Sequence, residues 1–469
     1  MLTHDMVSAA IAAAMRNERL PPPVLAAEQD RRWRDLARYA RENSPYYARL
    51  YGALDLDRAA LTDLPTVNKP ELQRHFDEVV TDRRITLAGV QEFCAAPPGG
   101  SPWLFNSFAV LMSSGTSGER GYFVMDGQAL ADAIAAGFRQ SNRGPAPEAI
   151  ASGGPPAGPP PQQRIAAVML IEPFDAAGML MRMIPESVGP KRLIDIRGDF
   201  GDLVAQLNEF QPTLLSSFPY MLRLLSEAAK DGRLKIAPAR ITSSGDVLTA
   251  SDRASVVRAF GLQPYDYYCS TEVPYIAWEC DRHDGLHVNA DAAIVESVDA
   301  DNRPVPAGTL GARLLLTNLS SRALPLIRYE MSDQVEYRDD ACPCGSRLPR
   351  IRTVAGRVEH TLSLPGTQGK RVSLIPEHID EYVGGLPGLK NYQVIQEEAA
   401  RLTVNVIPQD AAAADSVGAA VLAGLRQCFA RYGAADVRLD LRTVDRLEPS
   451  RPGSTKICHY WNRWGQGGA

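Results

Sequence analysis

A run of hydroxyls and glycines, Ser113-Ser114-Gly115-Thr116-Ser117-Gly118-Glu119, follows the apolar stretch Phe108–Met112 and precedes the aromatic pair Tyr122-Phe123. Small residues let backbone amides approach phosphate oxygens, and each hydroxyl adds a donor, so this loop suits a polyphosphate. The same composition also builds ordinary turns. Three later segments offer it partners. Tyr265-Asp266-Tyr267-Tyr268-Cys269-Ser270-Thr271-Glu272 combines aromatics able to stack on a purine, hydroxyls for phosphate and a carboxylate for magnesium, or else packs in a core. Asp333, closing Arg328-Tyr329-Glu330-Met331-Ser332-Asp333, reads either as an acceptor for ribose hydroxyls or as a turn carboxylate. In Gly356-Arg357, a residue that permits a bend sits beside a permanently charged fork.

A second constellation is Cys280, His287, Cys342 and Cys344. Three thiolates and one imidazole are the ligand set of a closed tetrahedral zinc site, which staples loops and leaves no position open for water. His283 competes as the imidazole, and unrelated buried cysteines are the other reading.

Elements must position these groups. The first seventy residues read as helical, with Trp33, Leu36, Ala37, Tyr39 and Ala40 at helical spacing before Asn43-Ser44-Pro45 and a further helix after Lys69-Pro70. The segment 143–163 is rich in proline and glycine and reads as an exposed insertion. From Arg164 strand and helix alternate: strands are expected at 165–171 and 241–244, and helices at 202–210, 219–229 and 249–260, the last stopped by Gly261. Such alternation predicts a mainly parallel sheet with its ligands beyond the strands' carboxyl ends. After Gly356 the texture changes to strands at 392–395, 402–407 and 437–441 and a long helix at 411–432. The fold class is therefore α/β: a large multi-layer α/β domain at 1–356, joined by a hinge to a small α+β domain at 357–469.

Composition bounds the function. At 469 residues the chain holds several domains, and a net charge of -5 gives no electrostatic case for nucleic acid or a membrane surface. No apolar run reaches bilayer length, and seven cysteines spread over the chain argue against a disulfide framework, so a cytoplasmic protein is expected. The glycine loop lacks the Gly-Lys-Ser/Thr ending of a P-loop kinase.

The ordered set Ser113 to Glu119, Ser244-Gly245-Asp246, Tyr268 to Glu272, Arg328 to Asp333 and Gly356-Arg357 resembles the adenylate-forming superfamily of acyl-CoA synthetases and adenylation domains. Leu64-Pro65 with Lys69, Glu279-Cys280, Gly285-Leu286-His287 and Cys342-Pro343-Cys344-Gly345 are similar to its phenylacetate-CoA ligase branch, and the likeness favours zinc at the four-residue cluster.

The resemblance implies a role for each position. Ser113, Ser114, Gly115, Thr116 and Gly118 would hold the ATP β- and γ-phosphates, and Gly245 and Asp246 would border the adenine. Tyr268 would stack on it, Thr271 would meet the α-phosphate and Glu272 would hold Mg²⁺. Asp333 and Arg357 would grip the ribose. Lys456 matches the family's C-terminal lysine, which bridges carboxylate and α-phosphate, and Glu359 falls at the hinge. Phe174, Phe218, Tyr220 and Ser243, with Pro219, Tyr275 and Ile276, are the candidate walls of an acid pocket, apolar enough for an aromatic acid.

The activity implied is ATP-dependent conversion of a small carboxylic acid to an acyl-adenylate, followed by transfer to coenzyme A. Transfer to an amine or a carrier-protein thiol, or a catalytically silent nucleotide-binding scaffold, are the alternatives; a homodimer is admitted. The chain departs from the family pattern at Glu119-Arg120, at Cys269 and at Val358-Glu359-His360.

Overall fold

Ser44 shows how local sequence sets the amino-terminal layer. Its amide donates to Ala40 to close the helix Pro22–Asn43, while its hydroxyl accepts from the Tyr47 amide to open the helix Pro45–Tyr51, where proline takes the first turn. Trp33, Leu36, Ala37 and Ala40 recur every three or four residues and bury one stripe of the first helix. The computed structural model describes residues 2–95, 102–113, 120–140, 163–172, 174–183, 189–357, 360–367, 369–435, 437–449 and 459–464.

Behind that layer lies a nine-stranded sheet among the described residues. Its parallel part runs Lys191–Asp195, Ile165–Met169, Leu214–Ser217, Arg240–Ser244, Tyr265–Tyr268. The helices Phe200–Phe210, Pro219–Lys230 and Ala250–Phe260 are its crossovers, and every residue of Ile165–Met169 is buried, as a central parallel strand requires. Beyond Tyr265–Tyr268 the sheet turns antiparallel through Ala277–Glu279, Leu286–Val288, Arg350–Arg357 and Asp333–Arg338. Two three-stranded sheets pack around it, Trp103–Leu104 with Phe108–Met112 and Tyr122–Met125, and Ala293–Val298 with Arg313–Asn318 and Tyr329–Met331.

Residues from Leu362 to Tyr460 enclose a separate apolar core. It lies between the helices Pro376–Val383 and Ala414–Tyr432 and a four-stranded sheet ordered Arg438–Thr443, Arg401–Pro408, Leu389–Glu398, Tyr460–Asn462.

The expected elements are present with shifted ends. The strand at 165–171 stops at Met169, and the helix at 202–210 starts two residues earlier because Asp199 caps it at the Asp202 amide. The helix at 411–432 begins as a short 3-10 turn, Ala411–Ala413, before Ala414–Tyr432. Gly261 ends Ala250–Phe260 with φ of 69°, the left-handed conformation expected of a glycine stop. Most of the 143–163 insertion lies outside the described residues. No described helix is long and apolar enough to cross a membrane.

Candidate functional site

A cavity of about 1500 Å³ opens among the described residues at the carboxyl ends of the parallel strands. Chain order places its walls far apart, and the sheet gathers them. Ser113 leaves Phe108–Met112, Ser244-Gly245-Asp246 leave Arg240–Ser244, and Cys269 to Glu272 leave Tyr265–Tyr268. Asp333 and Arg357 face each other as register partners on two antiparallel strands.

Ser113 is tied at both ends. Its amide donates to the Gly121 carbonyl (2.9 Å), and its hydroxyl accepts from the Gly121 amide (2.8 Å) and from Lys69 Nζ (3.1 Å). Lys69 and Arg120 both line the cavity beside this loop mouth, and Arg120 Nη1 lies 3.5 Å from the Met112 sulphur. Ser114, Gly115, Thr116, Gly118 and Glu119 lie outside the described residues, as do Glu359 and Lys456.

Glycine is required at one point of the wall and at one residue beside it. Gly245 has φ of 83°, and a Cβ there would come within 2.6 Å of the Phe218 ring, so the backbone turns flat over that ring. Gly356 has φ of 88° where Arg350–Arg357 bends into the Asp333 strand, next to an irregularity in the register.

Glu272 is held by hydrogen bonds and has no cationic partner in an ion pair among the described residues. The Tyr329 hydroxyl donates to its Oε1 (3.1 Å) and the Asn318 amide donates to its carbonyl (3.0 Å), which leaves the other carboxylate oxygen on a cavity-lining residue. Ser270 and Val273 close the turn that presents Thr271, through Val273 N to Ser270 Oγ at 3.1 Å.

Not every expected site residue lines the cavity. Tyr268 is buried and does not line the cavity; its hydroxyl has no hydrogen-bond partner among the described residues, and burial, followed by the Asp333 carboxylate, pushes the phenol well above its usual range. Strand alternation accounts for Ser243: it is wholly buried, while the adjacent Ser244 faces the cavity. Phe174 packs at a tilt against Phe93, with ring centroids 5.2 Å apart, inside the main core. Phe218, Tyr220 and Tyr275 do line the cavity, whereas Ile276 is fully buried. Leu87, Met169, Leu180 and Met181 complete the apolar wall. Nothing local in the sequence marks these four, because each looks like core until the sheet leaves a gap beside it.

The second constellation also assembles. The ligand atoms of Cys280, His287, Cys342 and Cys344 all lie within 4.8 Å of one another. Cys280 Sγ is 3.7 Å from Cys342 Sγ, and Cys344 Sγ is 3.3 Å from His287 Nε2. Hairpin register puts Cys280 and His287 together, since Leu286 pairs with Glu279. Hydrogen bonds from Cys280 and then His287 hold the Cys344 thiol far below its usual range, toward thiolate. His283 stands apart, 3.0 Å from Glu279 and packed on the Tyr265 ring.

With this geometry in view, the likenesses are informative. No family model matches the chain. A phenylacetate-coenzyme A ligase of Thermus thermophilus is 25% identical over 403 residues, covering 81% of this chain and 79% of that protein. Among solved structures, a 2-hydroxyisobutyryl-CoA ligase in its postadenylation state superposes with a TM-score of 0.69 at 18% identity, covering 94% of this chain and 91% of the other. The same enzyme in its thioesterification state gives 0.57 at 19% identity, with coverage of 96% and 92%. In sequence the chain is similar to phenylacetate-coenzyme A ligases, and its fold is that of the 2-hydroxyisobutyryl-CoA ligase.

Proposed function

We propose that the protein activates a carboxylic acid with ATP, forming an acyl-adenylate and pyrophosphate, and then passes the acyl group to coenzyme A. The observation that carries this reading is the single cavity onto which Ser113, Gly245, Asp246, Thr271, Glu272, Asp333 and Arg357 converge from separate segments. The name of the sequence relative and the acyl-CoA ligase folds support the same reaction.

The charges on the cavity wall divide into two functions. Asp333 and Arg357 supply an acceptor and a donor fork for ribose hydroxyls, and the flat turn at Gly245-Asp246 leaves room for a purine edge. Tyr268 then acts from beneath this floor. Ser113, with Lys69 behind it, orients the start of the phosphate loop, whose remaining members Ser114, Gly115, Thr116 and Gly118 take the β- and γ-phosphates.

A carboxylate attacking phosphorus approaches an anion, so positive charge must be preorganised at the developing oxyanion. Lys456 supplies that at the α-phosphate, and the Thr271 hydroxyl adds a hydrogen-bond donor there. Glu272 fits magnesium, because one hydrogen bond from Tyr329 fixes its carboxylate and no described cation neutralises it. The ion would screen the triphosphate charge.

The acid lies against Phe218, Tyr220, Tyr275 and the methionine-bearing wall, which suits an aromatic substrate. Residues 1–356 and 357–469 act as two bodies hinged near Glu359, so that Lys456 serves the first step and leaves room for the thiol in the second.

The cysteine cluster holds structural zinc. A tetrahedral ion with bonds of about 2.3 Å to sulphur sets its thiolates about 3.8 Å apart, close to the 3.7 Å between Cys280 and Cys342. Cys280, His287 and Cys342 are buried, which leaves no room for a substrate, and the ion would pin the antiparallel end of the large sheet.

Pyrophosphate exchange across a panel of aryl and arylacetic acids tests the reading. Exchange with at least one acid, and a thioester with coenzyme A, are expected. No exchange and no ATP binding would leave a silent scaffold.

A further inference from the structure

The two cores meet at a buried polar knot formed by neither cavity nor metal cluster. Asp380, on the helix Pro376–Val383, is 4% exposed yet ionisable. Its carboxylate accepts from the Ser251 amide (3.1 Å), the Ser251 hydroxyl (2.8 Å) and the Tyr392 hydroxyl (3.1 Å). Arg223 spans the large-core side, donating to Ser251 Oγ (2.9 Å) and Asp252 Oδ1 (2.8 Å). Tyr460 joins from the small core by its hydroxyl contact with Tyr392. Gly384 leaves no slack, because a Cβ there would overlap both the Asp380 carboxylate and the Ser251 hydroxyl.

Such a seam is unusual in what it buries. Two carboxylates and a guanidinium leave water there, at a cost only close hydrogen bonding offsets, so the knot favours one relative placement of the two cores over all others. The placement also touches the reaction cavity. Tyr220 and Asp246 line the large cavity and also a small one at the seam, where His459 and Tyr460 of the small core complete the wall. His459 packs on Tyr220 at 6.1 Å between ring centroids, and its Nε2 donates to Asn391 Oδ1 at 3.0 Å. The higher TM-score against the postadenylation neighbour, at nearly equal coverage, agrees with an arrangement particular to one stage of the cycle.

We propose that Asp380 is a positioning residue for adenylation: clasped by Ser251 and backed by Arg223 and Tyr392, it docks the small core against the nucleotide wall in the arrangement that the first half-reaction needs and the second must leave. This rests on the two-step reading of the activity. Breaking the clasp therefore unbalances the half-reactions, which general loss of structure does not do.

Asp380→Asn and Ser251→Ala are compared with the unsubstituted full-length protein in two assays. Pyrophosphate exchange with phenylacetate is expected to fall on the order of 10-fold. Thioester formation from supplied phenylacetyl-adenylate and coenzyme A is expected to hold or rise. Equal loss in both assays, or no loss in exchange, overturns the proposal. Small-angle X-ray scattering without substrates gives an independent reading: a larger radius of gyration in both variants is expected, and unchanged profiles overturn the clasp. If the unsubstituted protein exchanges no pyrophosphate, the activity reading fails, and scattering alone decides the clasp.

Discussion

The large cavity and the cysteine cluster sit on two parts of one sheet, yet they handle polar groups in opposite ways. Around the cavity, Glu272, Asp333, Arg357 and Lys69 converge on empty volume at the parallel strands' carboxyl ends. Around Cys280, His287, Cys342 and Cys344 the polar atoms face each other and only Cys344 keeps appreciable exposure. Parallel strands leave a crevice because their crossovers depart in turn to either face. Antiparallel hairpins close on themselves, so Leu286–Val288 lies directly against Ala277–Glu279 and brings ligands into contact. The open arrangement presents charge to a substrate; the closed one spends it on holding strands.

Removing a member of each set should separate chemistry from stability. Lys456→Ala is expected to slow adenylation on the order of 100- to 1000-fold, the scale for one preorganised charge, with an unchanged melting curve. Exchange at the unsubstituted rate would remove Lys456 from that role. Cys342→Ser, or stripping metal with a chelator, should do the reverse. A loss of about 3 kcal/mol, roughly 6–12 °C in Tm, is expected, with turnover per folded molecule retained. Elemental analysis finding far less than one zinc per chain would break the comparison on that side.

The smallest effect lies between the two regions. Asp266, on the strand Tyr265–Tyr268, has a buried Oδ1 with no hydrogen-bond partner among the described residues. Burial and the neighbouring Glu279 carboxylate push it up to about 8 from 3.8. Between those values the folded chain binds a proton that the unfolded chain has released, so stability falls as pH rises, by up to about 1.4 kcal/mol per unit. Asp266→Asn should flatten that slope and raise stability at pH 8 relative to the unsubstituted protein. Parallel pH–stability profiles for the two proteins would count against a proton on Asp266.

Much of this was legible before any coordinates. The crossover helices follow from apolar spacing, and the end of Ala250–Phe260 from Gly261, because a cap acts within a few residues and needs no distant partner; the Asp199 cap, which starts its helix two residues before the expected 202, is legible only in the structure. The cavity-lining Gly245, Asp246, Thr271, Glu272, Asp333 and Arg357 were all named from motifs. What local sequence does not encode is a side chain's direction or its distant neighbour. Ser243 and Ser244 are chemically identical, and only strand phase assigns one to the core. Tyr268 sits in an aromatic run whose members cannot be ranked by spacing, and its place under Asp333 depends on how two other strands pack.

By itself, then, the sequence determined the element types, the order of motifs and the chemistry each motif can supply, since these depend on neighbours within a few residues. Tertiary structure alone decided which groups share the cavity, that Cys280 meets Cys342 across the antiparallel strands, and that Asp380 answers Ser251 across the seam between the cores. Those contacts join residues from 62 to 129 positions apart. At such separations no local periodicity carries the pairing, and only packing the sheet and its helices brings the partners within hydrogen-bond reach.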